Sequence, residues 1–286
     1  MTKVQSDEAT IKKNQIKAHA LKAVTYLAAA LTVLVLGFLI VYILVKGVPH
    51  LSPELFAWEY NSENVSMLPS IINTLEIVLL TLLVSIPFGI GSAIYLVEYA
   101  SSKNRFVPII QMTTETLTGI PSIVYGLFGM LFFNSLFGIS MLSGALTLAI
   151  MVLPVIMRTT EEALLSVPKN YREGSFGLGA GKLRTIFKIV LPAAMPGIFS
   201  GIVLSIGRIV GETAALIYTA GTFTKAASSV FNSGRTLSVH MYLLSKEGLN
   251  TDQAYATAVV LLILVIFINF ISGKIASGVQ KQHGEA

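Results

Sequence analysis

The sequence predicts an all-α, polytopic membrane protein with six transmembrane helices and both termini in the cytoplasm, on three observations. Of its 286 residues, 53% are apolar and only 12% charged, against about 25% charged in an average soluble domain. The apolar residues fall in blocks of about 20 or more, the length a helix needs to cross a bilayer, and the mean hydropathy is +0.73. The Lys and Arg residues gather in alternate loops, which orients the spans.

Residues 1–22 read as a basic cytoplasmic segment carrying Lys3, Lys12, Lys13, Lys17 and Lys22, followed by a first span at 23–45. That block is longer than a secretory h-region of about 7–15 residues, so a retained helix is expected. Further spans are expected at 70–97, 107–133, 138–157, 193–219 and 254–273. Residues 116–157 carry no charge and are too long for one crossing; Asn134, Ser135 and Gly138 supply the dividing turn. Gly119, Pro121 and Ser122 predict a kink within the third span. Fifteen of the 20 basic residues then lie inside, Lys103 and Arg105 among them, and only Lys46, Lys225, Arg235 and Lys246 outside. Trp58 and Tyr60, in the first outer loop, read as interfacial anchors, and the outer segment 221–250 reads only as polar. The organisation is a transmembrane domain over 70–275 with a cytoplasmic loop at 159–192, and a tail at 276–286.

Several chemistries are excluded. The chain has no Cys and four scattered His, which rules out disulfides, thiolate catalysis and an HExxH-type metal site. The excess of basic residues serves orientation in the membrane and gives no support to nucleic-acid binding. Gly177, Gly179, Gly181 and Lys182 imitate a phosphate-cradling loop, but Leu183 stands where Ser or Thr is needed and no strand precedes them. Any ATP dependence must come from a partner.

Charges within spans point to function, because an ionisable group at depth costs roughly 2.5–3.5 kcal/mol and normally faces a cavity or a partner. Arg208 and Glu212 are four residues apart in the fifth span, on one helix face where they can pair. Two readings follow: a self-neutralising pair that holds helices together, or a cation offered to an anion with its field moderated by Glu212. Arg158, at the inner end of the fourth span, either snorkels to the interface or pairs with Glu115. Gly197 with Gly201, and Gly207 with Gly211, have the spacing of close helix packing.

The loop at 159–192 is long for a connection. Ser166 and Pro168 start a short amphipathic helix that runs to Leu178, Gly179 and Gly181 stop it, and a second short helix at 182–190 ends before Pro192. Glu173, Gly174, Ser175, Gly179, Ile189, Leu191 and Pro192 resemble the EAA signature of binding-protein-dependent ABC importer permeases: EAA, three residues, Gly, nine residues, I-x-LP. Gly174 and Ser175 stand where the pattern prefers Ala, and both are small enough to preserve close packing. In that family this loop is the helix that docks on the cytoplasmic ATPase.

Arg-Thr-Thr-Glu at 158–161, the segment 119–128 and Arg-Ile-Val-Gly-Glu-Thr-Ala at 208–214 look like the permeases of phosphate ABC importers, closer to the PstA than the PstC type. The resemblance implies a type I permease fold in a bacterial cell membrane. It implies as partners a PstC-type sister permease, a PstB-type ATPase that alone holds ATP and Mg, a PstS-type extracellular phosphate-binding protein, and inorganic phosphate. It implies a substrate pathway past Arg208, Glu212, Arg158, Thr159, Thr160 and Thr213, and ATPase coupling through the EAA residues. The EAA signature alone leaves other oxyanions open, among them sulfate, molybdate and phosphonate.

Overall fold

A computed structural model describes residues 2–100 and 106–284 of the chain. Lys103 and Arg105 lie outside the described residues, as do 285 and 286 of the tail and the side chains of Lys3, Lys12, Lys13 and Lys281. The described residues are helical with no strand.

Helix α1 (Thr2–Gly47) runs unbroken from the basic N-terminal segment through the first span. From Leu21 onward its apolar side chains are nearly all exposed, as a lipid-facing helix requires. It packs near its outer end on α11 (Thr251–Gly284), with Tyr42 edge-on to Tyr255 at 6.0 Å between ring centroids. Helix α2 (Leu68–Ile94) has Pro69 in its first turn, where the missing N–H costs nothing, and ends in a π-turn at Tyr95–Tyr99.

The expected third span is not one straight helix. Helices α3 (Phe106–Thr118) and α4 (Ser122–Phe137) meet at a bend of 103°. The sequence kink is therefore a break: Pro121 lacks an N–H and holds Ile120 out of the helical region. The Leu117 carbonyl, which Pro121 cannot serve, accepts the Ile120 N–H at 3.2 Å and the Tyr125 hydroxyl at 2.8 Å, so the break leaves no bare acceptor there to lipid. Among the described residues five helices are long and apolar enough to cross a membrane, and the count is six with the bent pair taken as one span.

Helix α5 (Met141–Ser166) is capped by Ser140, whose hydroxyl accepts the Ser143 N–H at 3.2 Å. It continues nine residues past the expected end at Met157, since a helix that leaves the bilayer still makes its own hydrogen bonds. Helix α6 (Lys169–Gly177) follows, then α7 (Lys182–Thr185), a π-turn at Ile186–Val190 and α8 (Leu191–Gly211) without interruption. The expected stop before Pro192 is not made, because Pro192 sits in the first turn of α8 beside a π-turn that has already loosened the ladder. Helices α9 (Ala214–Thr219) and α10 (Leu237–Glu247) complete the order.

The core is the contact of α2, α5 and α8. Ile77, Leu148, Val152, Ile156, Ile209 and Leu216 fill its outer and middle part; Ala93, Leu164, Ile186, Val190 and Ile198 fill the inner end. Gly197 and Gly201 bring α8 against α5: a Cβ at Gly197 would lie 2.6 Å from Ala163 Cβ, and one at Gly201 2.6 Å from Thr159 Cβ. At Gly207 and Gly211 a Cβ would meet open space, so the second small-residue pair packs against nothing among the described residues. The outer segment is folded back on the bundle. Asn73 of α2 donates to the carbonyls of Lys225 and Arg235 and accepts from the Ala227 N–H.

Candidate functional site

The fifth span breaks where its charges lie. Helix α8 stops at Gly211, and Glu212 turns to extended backbone with ψ of 129°. Glu212 is 8% exposed, its Oε1 accepts the Ala215 N–H at 3.0 Å, and Ser238 Oγ donates to its carbonyl at 2.6 Å. The expected pairing with Arg208 on one helix face is therefore not made: the helix ends between them, and the carboxylate is used to start α9. Among the described residues no carboxylate stands within ion-pair reach of Arg208. Arg208 lines a cavity of about 580 Å³ with Val155, Ser200, Ser205 and Asn269 among its other walls. Asn269 Oδ1 is buried there without a partner.

Arg158 lies one turn beyond Val155 on the same stripe of α5, at a second cavity of about 230 Å³ lined also by Gln111, Glu115, Glu161 and Glu162. Its Nη1 is 3.6 Å from Glu115 and its Nε 3.2 Å from Glu162, with half its side-chain surface exposed. Such exposed pairs are worth about 0–1 kcal/mol, so they exchange readily for another anion. The two cavities succeed one another along α5, with Arg208 on the outer side.

The threonines are not part of this series. Thr159 Oγ1 donates to the Val155 carbonyl at 2.9 Å and packs against Gly201; Thr160 is fully buried with its hydroxyl unpartnered. Successive helical residues point about 100° apart, so the face that presents Arg158 turns Thr159 and Thr160 inward. Thr213 lines a separate cavity of about 360 Å³ with Ile43, Tyr242, Ser245 and Tyr255.

On the inner side, α6 stands on the bundle with Glu173 and Gly174 exposed. A Cβ at Gly174 would meet open space, so the chain's own packing does not ask for a small residue there. Gly179 has φ of +83°, a left-handed conformation that favours glycine; it closes α6 as its N–H donates to the Phe176 carbonyl at 2.9 Å. Ile189 lies in the second π-turn, and Leu191 and Pro192 open α8. Ser175 Oγ is 2.8 Å from Thr185 Oγ1. Leu178, just past α6, is 91% exposed.

Two groups of residues escaped sequence reasoning. Arg172 of α6 pairs with Glu98 in the first π-turn, Nη2 to Oε1 at 2.7 Å and Nε to Oε1 at 3.0 Å. At the outer end, the Arg235 guanidinium lies 4.4 Å over the Tyr60 ring, and Tyr60 meets the His240 ring edge-on at 6.2 Å. Tyr60 is thus a packing partner rather than only an interfacial anchor. Burial, and the Arg235 charge beside it, lower the His240 pKa to about 3. The lone acidic residue at the end of the second span was a visible signal for the first group, but no local spacing reveals a partner 74 positions away.

The model of binding-protein-dependent transport system inner membrane components matches residues 85–280. The chain is 32% identical over 276 residues to the probable ABC transporter permease protein YqgI of Bacillus subtilis, covering 90% of this chain and 94% of that protein. It is 37% identical over 196 residues to the phosphate transport system permease protein PstA 1 of Mycobacterium tuberculosis H37Rv, covering 67% and 63% of the two chains. It is 34% identical to the PstA of Haemophilus influenzae, covering 68% and 70%. Among solved structures, a permease chain of a bacterial alginate ABC transporter superposes with a TM-score of 0.66 at 16% identity, covering 89% of this chain and 95% of that one. The MetNI methionine ABC transporter gives 0.59 at 21% identity, covering 74% and 93%. At these identities the structures speak for the fold alone.

Proposed function

Because this chain belongs to the family of binding-protein-dependent transport system inner membrane components, we propose that it is the PstA-type permease subunit of an ATP-driven importer of inorganic phosphate. The family makes it a multi-pass transporter subunit of a bacterial membrane and not a catalytic enzyme. The finer reading draws on the PstA relatives, and the observation that carries it is Arg208: a cation in a membrane span, lining a cavity, with no carboxylate among the described residues within ion-pair distance. A guanidinium stays charged at any physiological pH and offers a planar fork of donors to an oxyanion.

Phosphate delivered by a PstS-type protein passes Arg208 and then reaches Arg158. There the weakly held Glu115 and Glu162 give way as it arrives and return as it leaves, so no step leaves an anion trapped. Glu212 acts by shaping the chain between α8 and α9, not by pairing with Arg208. A PstC-type permease supplies the other half of the pathway. A PstB-type ATPase, which binds the ATP and Mg²⁺, docks on α6 around Glu173. The test is uptake of labelled phosphate at low external concentration in cells with and without this chain, with labelled sulfate in parallel. Loss of phosphate uptake alone is expected; loss of sulfate uptake alone would move the substrate to another oxyanion.

A further inference from the structure

We infer that Arg172 and Glu98 form a strut that makes the inner end of the second span move with α6. The inference rests on the permease reading only through the ATPase that acts on α6; it does not depend on the substrate. Arg172 joins the end of α5 and the start of α6 to a segment 74 positions away. Its Nε and Nη2 hold Glu98 in the π-turn that ends the second span, its Nη2 also donates to the Leu164 carbonyl at 2.9 Å, and its Nη1 donates to the Val167 carbonyl at 2.9 Å. Leu164 lies in the last turn of α5, whose carbonyls have no partner within the helix, and a cation there also complements the helix dipole. Both side chains are largely withdrawn from water, at 18% and 10% exposure. A planar fork with each nitrogen engaged fixes direction as well as distance. A single lysine point charge cannot do so.

Two further ties lie beside the strut, one from α6 to α7 and one from α7 to the end of the second span. Ser175 reaches Thr185, and Lys182 Nζ stands 4.7 Å over the ring of Tyr99 in the first π-turn. The second and fifth spans thus each carry a π-turn at their inner ends, Tyr95–Tyr99 in one and Ile186–Val190 in the other. These are the points where the regular ladder is interrupted. Displacement of α6 reaches the fifth span through the chain itself, since α7 is continuous with α8. It reaches the second span only across space, and Arg172 with Glu98 is the direct, bidentate link from α6, beside the contact of Lys182 with Tyr99. Arg172 is a positioning residue; it touches no substrate.

The chain has no Cys, so Leu178→Cys, at a position 91% exposed, and Tyr95→Cys, at one 53% exposed, accept spin labels without other changes to this subunit. The label-to-label distance is read by pulsed electron paramagnetic resonance in the purified importer complex, without nucleotide and with ATP trapped by vanadate. With the strut intact the distance is the same in both states. In Arg172→Met it differs between them, and ATP hydrolysed per phosphate imported rises by about tenfold. Glu98→Gln, whose amide oxygen still accepts both N–H groups, keeps the parent distance. If Arg172→Met does not assemble, Glu98→Ala, which leaves Arg172 its carbonyl partners, serves in its place. A distance that already changes with ATP in the parent, or that stays fixed in the strut variants, overturns the inference. Phosphate uptake by the parent complex is measured alongside: its absence refutes the substrate and leaves the distance result standing.

Discussion

Replacing Glu212 by Ala and by Gln separates a structural carboxylate from an electrostatic one. Glu212 Oε1 accepts the Ala215 N–H at 3.0 Å in a site where the residue is 8% exposed. Alanine removes the acceptor and leaves that N–H, in the first turn of α9, without a partner. Loss of an N-terminal cap costs about 1 kcal/mol and up to about 2, and hydrogen bonds to charged groups are worth about 1.5–3 kcal/mol; a loss of about 2 kcal/mol is expected for Glu212→Ala. Glutamine keeps an oxygen at the same reach, so Glu212→Gln should lose about 1 kcal/mol or less. Because no carboxylate among the described residues is within ion-pair distance of Arg208, removing the charge at 212 breaks no ion pair. Phosphate uptake in Glu212→Gln should stay within about threefold of the parent, which corresponds to less than about 1 kcal/mol. The assay is thermal unfolding of the purified chain, with uptake in cells. Equal damage from Gln and Ala would refute the cap and restore a charge pairing with Arg208.

Two other predictions concern packing and pH. Gly201→Ala drives a Cβ to 2.6 Å from Thr159 Cβ, so α5 and α8 must part; a loss of about 1–3 kcal/mol in thermal unfolding is expected, restored by adding Thr159→Gly, and a neutral Gly201→Ala would contradict the contact. His240 has a folded pKa of about 3 against an ordinary 6.5, so the unfolded chain binds the proton first and stability falls as pH drops from 6.5 toward 3. The slope approaches roughly 1.4 kcal/mol per unit, or about 2 kcal/mol lost by pH 5. Thermal unfolding between pH 7 and 5 should show this fall in the parent and lose most of it in His240→Phe.

The membrane fold and the inner loop were legible because each leaves a local record. A span is a run of apolar residues, and the loop carries Glu173, Gly179, Ile189, Leu191 and Pro192 at fixed spacing. Helix ends were less legible, since hydropathy marks where lipid stops and not where backbone hydrogen bonding stops. Helix α5 therefore outruns Met157, and α7 is continuous with α8. The pairing of Arg208 with Glu212 failed for a related reason: a four-residue count assumes an unbroken helix, and Glu212 itself takes part in ending it. Thr159 and Thr160 entered with Arg158 through the resemblance of residues 158–161, and the structure places neither of them in the lining of the cavity at Arg158 or the one at Arg208. Glu98 with Arg172, and Tyr60 with Arg235 and His240, are contacts between distant segments that no local pattern records. Glu115 with Arg158 was within reach of sequence reasoning because both lie near the inner ends of neighbouring spans.

The measurement that bears most directly on the phosphate pathway is uptake of labelled phosphate in cells whose copy of this chain carries Arg208→Gln, with assembly followed by co-purification of the ATPase. The account predicts a loss of at least about tenfold in uptake, the equivalent of about 1.4 kcal/mol in the transport barrier, from a complex recovered in normal amount. Undiminished uptake from the same complex would contradict it and leave the cavity at Arg208 without a part in transport.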